Sequence, residues 1–157
     1  MTESPTSIYL DTNVFIRAVE GTDEAAAPAK RSIETLRGGH RSGVAATSEI
    51  TFAEVLASPQ RSDALPLQIK RRAYLDLLIW SAFITLIPVS RGILIETADL
   101  STLARFKLPD AIHLVSAIRR GCRFFVSADK DFDKLPQGME RIDPDENGVS
   151  RLIEELS

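Results

Sequence analysis

The stretch SIYLDTNVFI, residues 7–16, decides how this chain is read. Ile8, Tyr9 and Leu10 form a short apolar run of the kind that makes a buried strand. The run stops on an aspartate, followed by a threonine and an asparagine. Asp11 has two readings at this point. An aspartate after a strand commonly makes a turn or caps the next helix. It also stands where an open parallel sheet collects its ligands, outside the carboxyl ends of the strands.

Working outward, residues 13–20 and 25–36 read as helices, broken near Gly21, with Gly38 and Gly39 stopping the second. Residues 44–46 suit a second strand. Thr47 or Ser48 then caps a helix to about Ala57, ended by Ser58, Pro59 and Gln60. Residues 67–79 read as a long helix with Lys70, Arg71 and Arg72 on its wet side. The β-branched run 84–89 is a third strand, residues 93–104 a helix, and Pro109 opens another that ends at Gly121. RFFVSAD is a fourth strand, MERID a short fifth, and residues 149–156 a closing helix. Strands alternate with helices, and several strands are continuously apolar. That predicts an α/β fold, a central mostly parallel sheet covered on both faces.

The 157 residues suit one domain spanning 1–157. A 44% hydrophobic and 26% charged composition places the chain among soluble globular proteins. The single cysteine, Cys122, excludes an internal disulfide and fits a reducing, cytoplasmic setting. It reads as a small buried hydrophobe. The N-terminal stretch has neither the basic segment nor the long apolar segment of a signal peptide. The most apolar run, 75–89, is interrupted by Asp76, Ser81, Thr85 and Pro88 and is too short to cross a bilayer as a helix. The formal charge of −3 neither suggests nor forbids a nucleic-acid partner, because phosphate contacts depend on local basic patches. Three such clusters exist, at 30–31, 69–72 and 119–123, and solvated helix faces are the favoured explanation for at least two of them. Arg17 lies one turn beyond Asn13.

Four carboxylates carry the chemical signal. Asp11 and Asp129 each follow a buried run, so both project at the carboxyl edge of the sheet. Glu54, in SEITFAEVLAS, has apolar neighbours on its helix, while Glu49 lies about 140° around the helix and faces water. A carboxylate in apolar company is costly unless it is paired or holds a metal. Asp110 follows Pro109 in LPDAIHLVSAIRRG, in the first turn of a helix, where the macrodipole favours an anion. Each position has an ordinary structural explanation when taken singly. Taken together, four converging carboxylates repel unless some stay protonated or a cation sits among them. Oxygen donors favour Mg²⁺ or Mn²⁺, and one cysteine with two histidines argues against a zinc cage. Carboxylate-held metal in an α/β crevice suits phosphodiester chemistry.

The ordered set YLDTNVFIR, ITFAEVLAS, LPDAIHLVSAIRRG and FFVSADKDF resembles the PIN-domain ribonucleases, most closely the VapC-type toxins of toxin–antitoxin pairs. The resemblance spans nearly the whole chain. It implies a three-layer α/β/α sandwich and a Mg²⁺- or Mn²⁺-dependent endoribonuclease. Asp11, Glu54, Asp110 and Asp129 match the family's catalytic acids and metal-holding set. Thr12, Asn13 and Ser127 match supporting positions, and Asp131 is a further partner for the metal or its waters. His113 lies three residues after Asp110 on the same side of its helix and is expected to be a half-buried hydrogen-bonding residue rather than a catalyst. The resemblance further implies an RNA substrate, a cognate antitoxin protein and a homodimer. A housekeeping nuclease of RNA maturation and a non-catalytic binding module with a degenerate acidic pocket are the alternatives. A phosphate-accepting regulatory domain fits less well, because Asn13 stands where a second acid is needed. No Gly-rich phosphate loop is present.

Overall fold

In the computed structural model, which describes residues 7–39, 43–57 and 65–157, strand β1 (Ile8–Leu10) lies at the centre of a five-stranded sheet. Its two faces differ by residue parity. Ile8 and Leu10 enter one core, together with Phe124 and Val126, while Tyr9 enters the other with Phe125. Both faces are sealed, which is why the strand reads as a continuous run. Asp11 then caps helix α1 (Thr12–Glu20), and α2 (Ala26–Gly38) packs on α1.

Strand β2 (Ala45–Ser48) pairs with β1 in parallel, Ile8 opposite Ala45 and Tyr9 opposite Ala46. Helix α3 (Ile50–Leu56) follows directly. Helix α4 (Leu67–Leu75) passes into a π-helical turn at Asp76–Trp80, and β3 (Ile84–Ile87) forms one edge of the sheet. Helices α5 (Arg91–Ala104) and α6 (Leu108–Arg120) pack together before β4 (Phe124–Val126), which pairs with β1 on its other side. A 3₁₀ turn at Lys130–Asp133, strand β5 (Glu140–Ile142) and helix α7 (Glu146–Leu156) complete the chain. The order is β3-β2-β1-β4-β5 and all four pairings are parallel. The α/β/α expectation holds.

One core lies under α1, α2, α4 and α7, and the second lies under α5 and α6. Helix α6 is buried from Ala111 through Ala117 without interruption, so it packs on all sides. The chain runs from β1 outward through β2 to β3, then crosses to β4 on the far side of β1. That reversal opens a crevice at the carboxyl ends of β1 and β4, the place where such sheets bind ligands.

Three local readings are corrected. Thr47 and Ser48 belong to β2 and not to a helix cap; Glu49 holds the cap position, with Ser48 Oγ accepting from Ile50 N–H at 3.2 Å. The long helix stops being α-helical at Leu75, where the π-helical turn begins. Lys70 does not face water: it is 2% exposed, and its amine lies 3.3 Å from Glu20 Oε1. Lys70 and Tyr74 are four apart and share one helix face, so both reach the Glu20 carboxylate, to which Tyr74 also hydrogen-bonds. The helix end expected at 58–60 falls outside the described residues. Cys122 is buried, as expected. Among the described residues no helix is long and apolar enough to cross a membrane.

Phe125 is fully buried between Tyr9, stacked at 5.0 Å, and Phe132, at 4.6 Å. It therefore joins β1, β4 and the 3₁₀ turn. Phe125→Ala is expected to lower stability by about 3–5 kcal/mol, read from the urea midpoint by circular dichroism.

Candidate active site

Asp11 ends β1 and is 5% exposed, so its charge must be met locally. Its Oδ1 accepts the Thr12 N–H at 2.8 Å. Its Oδ2 accepts from Ser127 Oγ at 2.7 Å and from Asn13 Nδ2 at 3.0 Å. Asn13 reaches across to β4, where its Oδ1 accepts the Ala128 N–H at 3.1 Å. Ser127 Oγ also accepts the Asp129 N–H at 3.0 Å. One lattice of hydrogen bonds thus fixes the ends of the two central strands. Burial pushes the Asp11 carboxyl up, against the lowering effect of His113, Ser127 and the Thr12 amide, and the net direction is upward.

Glu54 projects from α3 toward the same place. Its Oε1 accepts from Thr12 Oγ at 2.8 Å and lies 2.5 Å from His113 Nε2. Burial alone would raise the Glu54 carboxyl, but the hydrogen bonds it accepts from His113 and from the Thr12 hydroxyl bring it below its ordinary value. The carboxylate that looked out of place among apolar neighbours is a hydrogen-bonded anion. His113, expected to be half-buried, is 1% exposed, because it sits inside α6's continuous buried stretch.

Asp110 sits in the first turn of α6 and Asp129 caps the 3₁₀ turn, its Oδ1 accepting the Asp131 N–H at 2.9 Å. Asp110, Asp129 and Asp131 each offer a carboxylate oxygen, and these oxygens lie within 4.8 Å of one another. Asp11 and Glu54 stand outside that trio but close enough to act on it. Burial, then the charges of Asp11 and Asp129, raise the Asp110 carboxyl to about 6, with His113 lowering and Glu54 adding to the rise. The donor set fits a hard divalent cation: oxygen ligands only, and a carboxyl that burial and its neighbours' charges push toward protonation without one.

The sequence reading therefore placed Asp11, Glu54, Asp110 and Asp129 in one region, with Thr12, Asn13 and Ser127 bracing them. Asp131, expected in a supporting role, contributes one of the three grouped carboxylate oxygens. Its neighbour Asp133 is drawn away by Arg141, whose guanidinium lies 3.2 Å from it. Sequence reasoning missed Tyr9 and Thr51. Tyr9 hydrogen-bonds His113 Nδ1 at 2.6 Å, and Thr51 Oγ lies 3.3 Å from Thr12 Oγ. A polar tip on a fully buried strand residue was the available signal for Tyr9. The basic clusters are mostly engaged elsewhere: Arg31 with Glu146, Arg119 with Glu96, Arg123 with Glu155.

A crevice between two central parallel strands, lined by five carboxylates, accords with the family comparison. The PIN domain model matches residues 8–138. The chain belongs to the PIN-domain family. In structure this PIN domain is similar to a toxin–antitoxin complex from Klebsiella pneumoniae, with 25% identity, a TM-score of 0.64, and coverage of 89% of this chain and 99% of that one. It is also similar to VapBC2 from Rickettsia felis bound to a promoter DNA fragment, with 17% identity, a TM-score of 0.61, and coverage of 88% and 98%. FitAB bound to the IR36 DNA fragment matches with 17% identity, a TM-score of 0.54, and coverage of 87% and 94%. No curated protein matches the chain in sequence.

Asp110 also yields a pH signature. Its folded carboxyl is raised to about 6 from 3.8, so its stabilising contribution is complete below the unfolded value and is lost as pH rises through about 6. The loss is on the order of 1 kcal/mol after allowance for solvent screening. Chelated protein is expected to melt lower at pH 7.5 than at pH 5. Added Mg²⁺ should raise the melting temperature more at pH 7.5, and Asp110→Asn should flatten both differences in calorimetric scans.

Proposed function

We propose that this PIN-domain chain, acting as one domain over residues 1–157, is a Mg²⁺- or Mn²⁺-dependent endoribonuclease and the toxin of a VapBC-type pair. The observation that carries the reading is the Asp110–Asp129–Asp131 cluster beside the hydrogen-bonded anions Asp11 and Glu54, at the carboxyl edge of the sheet. The similarity to a Klebsiella pneumoniae toxin–antitoxin complex over nearly all of that chain supports an antitoxin partner. A cytoplasmic setting and a homodimer belong to the same reading.

In this proposal Asp11, Asp110 and Asp129 hold the divalent ion or its waters, with Asp131 beside them. Bound there, the ion would polarise the phosphodiester, lower the pKa of the attacking water and stabilise the leaving oxygen. Glu54 orients water or a second ion from a position that Thr12 and His113 fix. Asn13 and Ser127 keep Asp11 aimed by occupying its Oδ2. Thr12 belongs to both halves of the site, since its amide donates to Asp11 and its hydroxyl to Glu54.

The test is RNA cleavage by the purified full chain, followed on end-labelled RNA after chelation and after adding back Mg²⁺ or Mn²⁺. Cleavage should require the ion. Asp11→Asn and Asp110→Asn should each cut at least about a hundredfold slower, the upper end of what loss of a mere ligand-orienting partner costs. Wild-type rates from both variants would remove the basis for the assignment.

A further inference from the structure

We propose that His113 is a positioning residue for Glu54, held in one ring tautomer by Tyr9 through a buried relay that starts at the Ser48 amide. The relay deepens the nuclease reading and rests on it for the role of Glu54. The placing of its protons rests on the heavy-atom contacts and not on that reading.

The protons can be counted. Tyr9, Ser48 and His113 are at most 1% exposed, so solvent cannot satisfy them. The Ser48 N–H donates to the Tyr9 hydroxyl oxygen at 3.0 Å. That oxygen keeps its own proton, because burial raises the phenol well above its ordinary value. The acceptor facing it is His113 Nδ1, at 2.6 Å. With Nδ1 accepting, the neutral ring carries its proton on Nε2. Nε2 points at Glu54 Oε1, 2.5 Å away, with Thr12 Oγ at 3.1 Å.

The other arrangements conflict with these contacts. A proton on Nδ1 alone would make the Tyr9 oxygen accept from both Ser48 and His113 and turn the phenolic proton away from the ring. It would also aim the Nε2 lone pair at the Glu54 carboxylate. A proton on both nitrogens keeps the Glu54 contact but leaves the first conflict in place. The ring itself cannot swing away, since it packs edge-on to Tyr9 with centroids 5.8 Å apart, and Tyr9 is stacked on Phe125. Backbone of β2, a side chain of β1 and a side chain of α6 thus converge to aim one N–H at a carboxylate of α3. This is the pattern in which an outer partner fixes an inner one's orientation, and loss of such partners typically costs about 10–100-fold in metal affinity or activity.

The experiment uses the full chain with ¹⁵N-labelled histidine. The sequence holds two histidines, and His40→Gln assigns their signals. Long-range ¹⁵N–¹H correlation should show His113 with a protonated Nε2 and a bare Nδ1, and Tyr9→Phe should bring in the second tautomer. In calorimetry on chelated protein, His113→Leu should bind Mn²⁺ about 10–100-fold more weakly. His113→Gln, whose amide can still donate to Glu54, should recover most of the loss. In RNA cleavage the Leu variant should lose kcat with KM retained. A protonated Nδ1 in the wild-type protein overturns the relay, as does wild-type Mn²⁺ affinity in His113→Leu. If the wild-type chain fails to cut RNA at all, the nuclease reading falls, while the tautomer and Mn²⁺ measurements still decide the relay.

Discussion

The hydrogen bond from Ser127 Oγ to Asp11 Oδ2 is 2.7 Å long and buried, and it joins the ends of the two strands on either side of the crevice. Everything acidic in the site is placed relative to it. Asn13 reinforces it from α1, donating to both Asp11 and Ser127 and accepting from the Ala128 amide. A buried carboxylate is expensive without donors, and here three donors meet it before any ligand arrives. The sheet register supplies the geometry: Leu10 is level with Val126, so Asp11 and Ser127 emerge side by side. A one-residue slip would turn every side chain of β1 to the opposite face and separate the pair.

With Asp11 fixed, the acids divide into two kinds. Asp11 and Glu54 are anions that the protein itself satisfies, through Thr12, Asn13, Ser127 and His113. Asp110, Asp129 and Asp131 are brought together with far less compensation, and burial, then the charges of Asp11 and Asp129, push Asp110 toward protonation. Donors hold Glu54 down and only partly offset the burial that raises Asp11, and the charges of both add to the strain on the crowded trio. A divalent cation relieves that strain where another hydrogen-bond donor could only move it. This is the physical sense in which the protein is built around an ion-sized region of negative charge.

The fold was legible because both sheet faces are apolar, so each strand appeared as an uninterrupted run, and because Gly38, Pro109 and Gly121 mark helix ends. The carboxylates were legible as a set and not singly: two end buried strands, one lies among apolar neighbours and one opens a helix. At Asp11 the two initial readings turn out to be compatible. It caps α1 and also anchors the site. What stayed hidden depends on partners distant in sequence. Lys70 looked solvated because its own helix carries Arg71 and Arg72, whereas its burial is set by Glu20, fifty residues earlier. His113 looked incidental because Tyr9, its partner, lies 104 residues away.

The choice among Asp129, Asp131 and Asp133 shows how packing settles what a motif leaves open. In the run ADKDFD all three acids are local neighbours, and of them the family resemblance matches Asp129 best. Phe132 is fully buried against Phe125 and Phe106, which pins the 3₁₀ turn to the second core. Pinned there, the turn sends Asp131 and Asp133 in different directions. Asp133 meets the guanidinium of Arg141. That same guanidinium donates to the Ser127 carbonyl at 3.2 Å and to Asp143 Oδ1 at 2.5 Å. Arg141 therefore neutralises one acid of the run while bracing the strand end that carries Ser127. Asp131, with its amide bonded to Asp129, is left facing the crevice. An apolar side chain and an arginine outside the acidic motif thus leave Asp131, and not Asp133, grouped with Asp110 and Asp129.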